Sequence, residues 1–252
     1  MYIYHQVKEY FFWIFRSKET TNFTYELEEI NLLYLADFIS AVTGKPQLEI
    51  SGYIHEILND KDLFNHLVGV YEKNSRKYKM DRVPKYAKRI GWYAIVRAMK
   101  PETVIETGID KGLGSCVLAA ALLKNKEEGF KGIYYGTDIN PNAGAFFSEP
   151  FTSVGKLLIG DSIESLKKLQ VDKIDIFIND SDHSSEYEEQ EYETVKSKLH
   201  DKSIIIGDNS HSNSKLREFA QSSGRKFLFF QEMPKNHWYP GCGIGVAYRN
   251  QG

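Results

Sequence analysis

Cysteine is almost missing from this chain. Only Cys116 and Cys242 occur, far apart and in no Cys-x-x-Cys pair, so neither a disulfide framework nor a thiolate zinc site is suggested. Cys116 lies among small apolar residues and reads as a small buried hydrophobe in a helix. No apolar run is long enough to cross a bilayer. The aromatic stretch Tyr10 to Phe15 is too short to span one, and the start lacks the basic opening and small-residue cleavage site of a secretion signal. A cytoplasmic chain without a membrane partner is the expectation. Excess positive charge is missing too: 32 Lys and Arg face 34 Asp and Glu, a net charge of −2. A general attraction to nucleic acid is therefore not predicted.

What is present is an ordinary globular composition, with 252 residues, enough for one large domain or a domain with an appendage. Residues 1–85 lack the strand-rich pattern of the remainder. Residues 25–42 carry Leu32, Leu35, Phe38, Ile39 and Val42 in helical rhythm, and Gly44 and Pro46 end the helix. A second helix is expected over 53–70, with Ile54, Ile57, Leu58 and Leu67 on one side. The segment reads as a helical cap or a homo-oligomerisation segment, against plain packing on the main domain. Residues 73–89 then gather Lys73, Arg76, Lys77, Lys79, Arg82, Lys85, Lys88 and Arg89. The plain reading is a solvated face; the functional one is an entry rim for an anionic substrate. Trp92 to Met99 looks helical, stopped by Pro101.

From Thr103 the rhythm changes, which places the main domain at 86–252. Strands are expected at 103–107, 133–138, 156–161, 174–180 and 203–208, with helices at 113–124, 162–169, 184–199 and 215–223. The last two strands, 227–232 and 243–249, have no helix between them and should pair antiparallel. The fold class is α/β: a doubly wound, mostly parallel, seven-stranded sheet with helices on both faces, preceded by the helical segment. Four of the five alternating strands end in an acid, at Asp138, Asp161, Asp180 and Asp208, and Glu106 precedes the end of the first. Ligands of open α/β sheets bind at the carboxyl ends of the strands.

The stretch ETGIDKGLGS, Glu106 to Ser115, sets Gly108, Gly112 and Gly114 between a strand and a helix. Glycines there allow a tight turn and a ligand close to a helix N-terminus. The spacing is not the G-x-G-x-x-G of a dinucleotide fold, which counts against a nicotinamide-dependent oxidoreductase. Asp138 reads as an acceptor for ribose hydroxyls or as a helix cap; Asp161 as a contact to an adenine amino group or a cap.

Taken in order, ETGIDKGLGS, GTDINP, GDSIESL, DIFINDSDH and IIIGDN resemble the class I S-adenosylmethionine-dependent methyltransferases. More narrowly they resemble the branch with catechol, caffeoyl-CoA and macrolide-sugar O-methyltransferases. The resemblance covers about 103–249 and leaves residues 1–85 unassigned. It implies a cofactor site of Glu106, Gly108, Gly112, Ser115, Asp138, Asp161 and Asp180. It also implies a divalent metal, Mg²⁺ or another, on Asp180, Asp208 and Asn209, an oxygen donor set that suits such an ion. Asp182 competes with Asp180 as ligand, and Asp208-Asn209 could be a turn and cap. His183, three residues past Asp180, stands where the family carries a general base, although it could simply bond the loop. The implied activity is metal-assisted O-methylation of a hydroxylated small molecule such as a sugar or natural product. The alternative is a metal-independent or non-enzymatic protein of the same fold. His211 and the loop Asn236 to Gly243, with His237, Trp238 and Tyr239, are candidates for substrate contact.

Overall fold

A computed structural model describes residues 2–19, 24–74 and 81–250. Four helices come first: α1 (Tyr2–Arg16), α2 (Glu29–Thr43), α3 (Gln47–Leu58) and α4 (Lys61–Lys73). Gly44 ends α2 in the left-handed conformation, with φ of 69°. Residues 25–28, expected within this helix, are extended instead, because Leu27 pairs with Pro234 in an isolated antiparallel bridge. The single helix expected over 53–70 is broken in two. Asp60 accepts a hydrogen bond from the Leu63 N–H at 2.9 Å and so caps a new helix.

After α5 (Arg89–Met99), strands and helices alternate: β1 (Thr103–Thr107), α6 (Leu113–Glu127), β2 (Ile133–Asp138), β3 (Gly155–Ile159), α7 (Ser162–Lys168), β4 (Ile174–Asn179), α8 (Ser185–Val195), β5 (Leu199–Gly207) and α9 (Lys215–Ser222). The chain closes with β6 (Lys226–Gln231) and β7 (Gly243–Tyr248). The sheet order is β3-β2-β1-β4-β5-β7-β6. The first five strands run parallel, and β7 inserts antiparallel between β5 and β6. The strand order reverses between β1 and β4, so a crevice opens beyond their carboxyl ends.

Alternation along the strands feeds two cores. Val104, Ile176, Ile178, Ile204 and Ile206 join Trp92 of α5 and Val117 of α6 on one face. Ile105, Phe177 and Ile205 join Leu166, Tyr192 and Phe219 on the other. Leu35, Ile39 and Ile54 belong to the first cluster. The amino-terminal helices therefore bury their apolar side in the same core as the sheet.

Candidate active site

Backbone hydrogen bonds draw the carboxyl ends of the strands together. The Gly108 N–H donates to Thr137 O at 2.8 Å, Asp180 N–H to Thr107 O at 2.9 Å, and Asp208 N–H to Asn179 O at 3.0 Å. Gly108 has φ of +81°, and a Cβ there would stand 1.9 Å from the Asp180 carbonyl oxygen. The β1 turn thus lies directly on the end of β4. Asp138 organises the same turn. Its Oδ2 accepts from the Ile109 and Asp110 N–H groups at 3.1 and 2.9 Å. Its Oδ1 accepts from Asn140 N–H at 2.8 Å.

A cavity of about 530 Å³ opens over this junction, lined by Gly108, Asp138, Asp180, His183, Asp208 and Asn209 among others. A second cavity of about 270 Å³ shares Gly108, Asp138 and Ser181 with it and reaches Asp161 and Tyr187. Asp161 is a helix cap as well as a wall: Oδ1 accepts from Glu164 N–H and Oδ2 from the Tyr187 hydroxyl, at 2.9 and 2.8 Å.

Glu106, Ser115 and Gly112 do not line these two cavities. Glu106 is 2% exposed and Ser115 fully buried. The Tyr134 hydroxyl donates to Glu106 and lies 2.7 Å from Ser115 Oγ. Ser115 Oγ donates to Glu106 at 3.2 Å. The cluster therefore supports the turn from beneath rather than touching what lies above it. The reason is the helix start: Gly112, with φ of +89°, packs against the Gly144 backbone and carries α6 down over Glu106. Burial pushes the Glu106 carboxyl up to about 7, against the hydrogen bond from Tyr134. A carboxyl raised in the fold stabilises it only while protonated. That contribution is complete below the ordinary value of 4.5 and is lost as pH rises to 7. Glu106→Gln should therefore gain on the wild type, by roughly 3 kcal/mol, between pH 5 and pH 8. Urea unfolding at the two pH values tests this; a difference that does not change with pH would refute it.

Asn179 sits in a strand position where an apolar residue is usual, and its partner explains it. Buried Glu191 of α8 accepts from Asn179 Nδ2 and Ser162 Oγ, from Thr107 Oγ1 at 2.9 Å and from Ser181 Oγ at 2.8 Å. One carboxylate thus ties β1, β4, α7 and the loop after β4. Nothing in the sequence singles it out from the neighbouring glutamates of an amphipathic helix.

Asp180, Asp208, Asn209 and His183 do meet. His183 Nδ1 lies 2.5 Å from Asn209 Oδ1. With that oxygen as acceptor, the ring proton sits on Nδ1 and Nε2 is left with a lone pair. The carboxyls of Asp180 and Asp208 lie close enough for each charge to act on the other. Lys88 is only 8% exposed, and its ammonium makes an ion pair with Asp208 Oδ1. Burial acts against both charges. Even so, Asp208 keeps Lys88 protonated, and Lys88 holds the Asp208 pKa below its ordinary value. Asp180 is pushed well up, by burial first and the Asp208 charge second. This donor set does not fit a divalent ion as it stands. One ligand oxygen carries an ammonium, and the Asn209 oxygen is taken by His183. Among the described residues, no group of three or more His, Cys, Asp or Glu is arranged to hold a metal ion.

The basic run is accordingly not one solvated face. Arg82 is, paired with Glu72 at 3.0 Å on the surface, but Lys88 and Arg89 are buried. Arg76, Lys77 and Lys79 lie outside the described residues. Tyr25, Tyr239 and Cys242 also line the cavity. The Tyr25 hydroxyl donates to buried Glu232 at 2.8 Å. His211 also lines the cavity. Trp238 packs instead on Tyr10 and Trp13 of α1, with ring centroids 5.3 Å apart in each pair.

A parallel sheet with its switch point at β1 and β4, a glycine turn and a row of acids at the strand ends define the Rossmann-like methyltransferase fold. Residues 105–210 match the methyltransferase domain family Methyltransf_24. An O-methyltransferase from Bacillus cereus, solved with S-adenosylhomocysteine, is 14% identical; the match covers 79% of this chain and 96% of that one, with a TM-score of 0.52. The Podospora anserina methyltransferase PaMTH1, also bound to S-adenosylhomocysteine, is 16% identical over 76% of this chain and 88% of its own, with a TM-score of 0.52. TomG of Streptomyces achromogenes, an O-methyltransferase involved in tomaymycin synthesis, is 12% identical over 76% and 91%, with a TM-score of 0.51. No curated protein matches the sequence. No described helix is long and apolar enough to cross a membrane.

Proposed function

We propose that this protein is an S-adenosylmethionine-dependent O-methyltransferase that methylates a hydroxyl of a small molecule, a sugar or natural product. The observation that carries the reading is the pair of cavities meeting at Gly108, Asp138 and Ser181, with His183 on the wall of the larger. Gly108 lines both cavities, and Asp138 offers carboxylate oxygens suited to ribose hydroxyls. Asp161 and Tyr187 wall the smaller cavity, which suits the adenine end. Bound S-adenosylmethionine would supply an electrophilic sulfonium methyl group to the acceptor oxygen and leave as S-adenosylhomocysteine. His183 takes the hydroxyl proton on Nε2, and Asn209 holds its ring in the required tautomer. Tyr25 and Tyr239 shape the acceptor side, which gives residues 1–85 a part in choosing the acceptor.

Self-association through the same segment belongs to this proposal; Phe11 and Phe15 of α1, 56% and 84% exposed, are the surface on which it would rest. So does a cytoplasmic setting, in keeping with two free cysteines. The test is calorimetry with S-adenosylhomocysteine. The wild type should bind, and Asp138→Ala should bind at least about tenfold more weakly, having lost charge-assisted hydrogen bonds. Full affinity in the variant would remove the ribose assignment, and a wild type that does not bind would remove the methyltransferase reading.

A further inference from the structure

Lys88 takes no part in the steps above, yet it stands at the centre of the acidic group. It is the residue immediately before α5, a helix whose Ile90, Trp92, Tyr93, Ala94, Ile95 and Val96 are all buried. Its carbonyl accepts from Gly91 N–H at 2.9 Å. The Cα is therefore fixed by the start of a core helix. From there the side chain lines the large cavity beside Asp180 and Asp208. Asp208 Oδ1 has the ammonium against it and no hydrogen-bond donor besides. A lysine on a mobile surface loop would be displaced readily by a divalent ion. A lysine anchored at a buried helix start, with its counter-charge equally buried, leaves such an ion facing a fixed like charge.

We propose that Lys88 is the resident cation of this site, standing where the resemblance assigns a divalent ion, so that the chain's chemistry needs no metal. The assignment of the cation rests on geometry alone; its catalytic use rests on the methyltransferase reading. An ammonium has three donors. One is spent on Asp208, and the cavity side remains for the acceptor oxygen. There it stabilises the negative charge that develops as the hydroxyl proton passes to His183, with Lys88 keeping its own protons throughout. Asp180 and Asp208 then act as the holder of a lysine rather than as ligands.

Titration of the full-length protein with Mn²⁺, followed by the paramagnetic resonance of free ion, separates the two assignments without any turnover. The wild type should leave millimolar Mn²⁺ free. Lys88→Ala should take up one ion per chain, and Lys88→Ala with Asp208→Ala should lose it again. Stoichiometric binding by the wild type at micromolar Mn²⁺ would overturn the proposal. So would a folded Lys88→Ala that binds none. The wild-type arm needs no variant and stands even where Lys88→Ala does not fold. In turnover, wild-type methyl transfer should be unchanged within about twofold by excess chelator, whereas Lys88→Ala should lose about 10²–10³ in kcat. A tenfold loss on chelation would overturn the proposal as well. Failure of the wild type to bind S-adenosylhomocysteine would strike the methyltransferase reading and leave the Mn²⁺ result to decide the cation by itself.

Discussion

Alanine at position 108 is expected to cost about 3–5 kcal/mol of stability and roughly 10 °C or more in melting temperature. Two penalties combine. The backbone has φ of +81°, and the added Cβ would lie 1.9 Å from the Asp180 carbonyl oxygen, with the Ser181 Cα 2.6 Å away. Neither neighbour is a side chain that can turn aside; both are backbone at the end of β4, held by the hydrogen bond from Asp180 N–H to Thr107 O. Gly129 provides the control. Its φ is +90°, but nothing lies within 4 Å of a Cβ built there. Gly129→Ala carries only the conformational penalty, about 1–2 kcal/mol. Thermal unfolding of the two variants side by side gives the clash as their difference. Equal melting temperatures would show that the β1 and β4 ends are not in the contact described.

His183→Ala should reduce kcat by about 10²–10⁴ while changing S-adenosylhomocysteine affinity and melting temperature little. The residue is exposed and contributes to no core cluster, so loss of the ring leaves the fold intact. Its one described hydrogen bond, from Nδ1 to Asn209 Oδ1 at 2.5 Å, predicts a graded companion. Asn209→Ala keeps the base but frees its tautomer and orientation, and should lose about 10–100-fold. Single-turnover methyl transfer, measured with saturating donor, distinguishes the chemical step from binding. A His183→Ala enzyme within threefold of the wild type would remove the base assignment and leave the cavity without a proton acceptor on that wall.

The parallel half of the fold was legible because its signals are local. TVIET, IYYGTD and IDIFIND are short apolar runs that stop at polar residues. Their ends define the crevice with no knowledge of what packs on them. The acids at those ends, Asp138, Asp180 and Asp208, were visible for the same reason. What escaped depends on apposition. Lys88 belongs by sequence to a basic run, and only the packing of α5 against the sheet turns it inward onto Asp208. Glu191 sits in the acidic sequence of α8, where its neighbours suit a helix amino terminus and its own burial cannot be read. Glu106 and Ser115 are buried in a cluster with Tyr134, an apposition that the motif by itself does not record. Helix boundaries failed where a distant partner decided them. Leu27 is extended because Pro234 pairs with it, and no feature within residues 25–42 records that bridge.

The hydrogen bond from Tyr25 to Glu232 joins residues 207 apart in sequence, and Leu27 meets Pro234 just beside it. During synthesis, one wall of the large cavity therefore waits for a partner 207 residues later in the chain. The helices and the parallel strands can assemble as they emerge, but the acceptor side stays open until Glu232 has left the ribosome. A nascent chain halted before that residue would carry the glycine turn and Asp138, yet have nothing to hold Tyr25 against the pocket. On the proposed reading, the donor site would be an early property of the growing chain and the Tyr25 wall a later one.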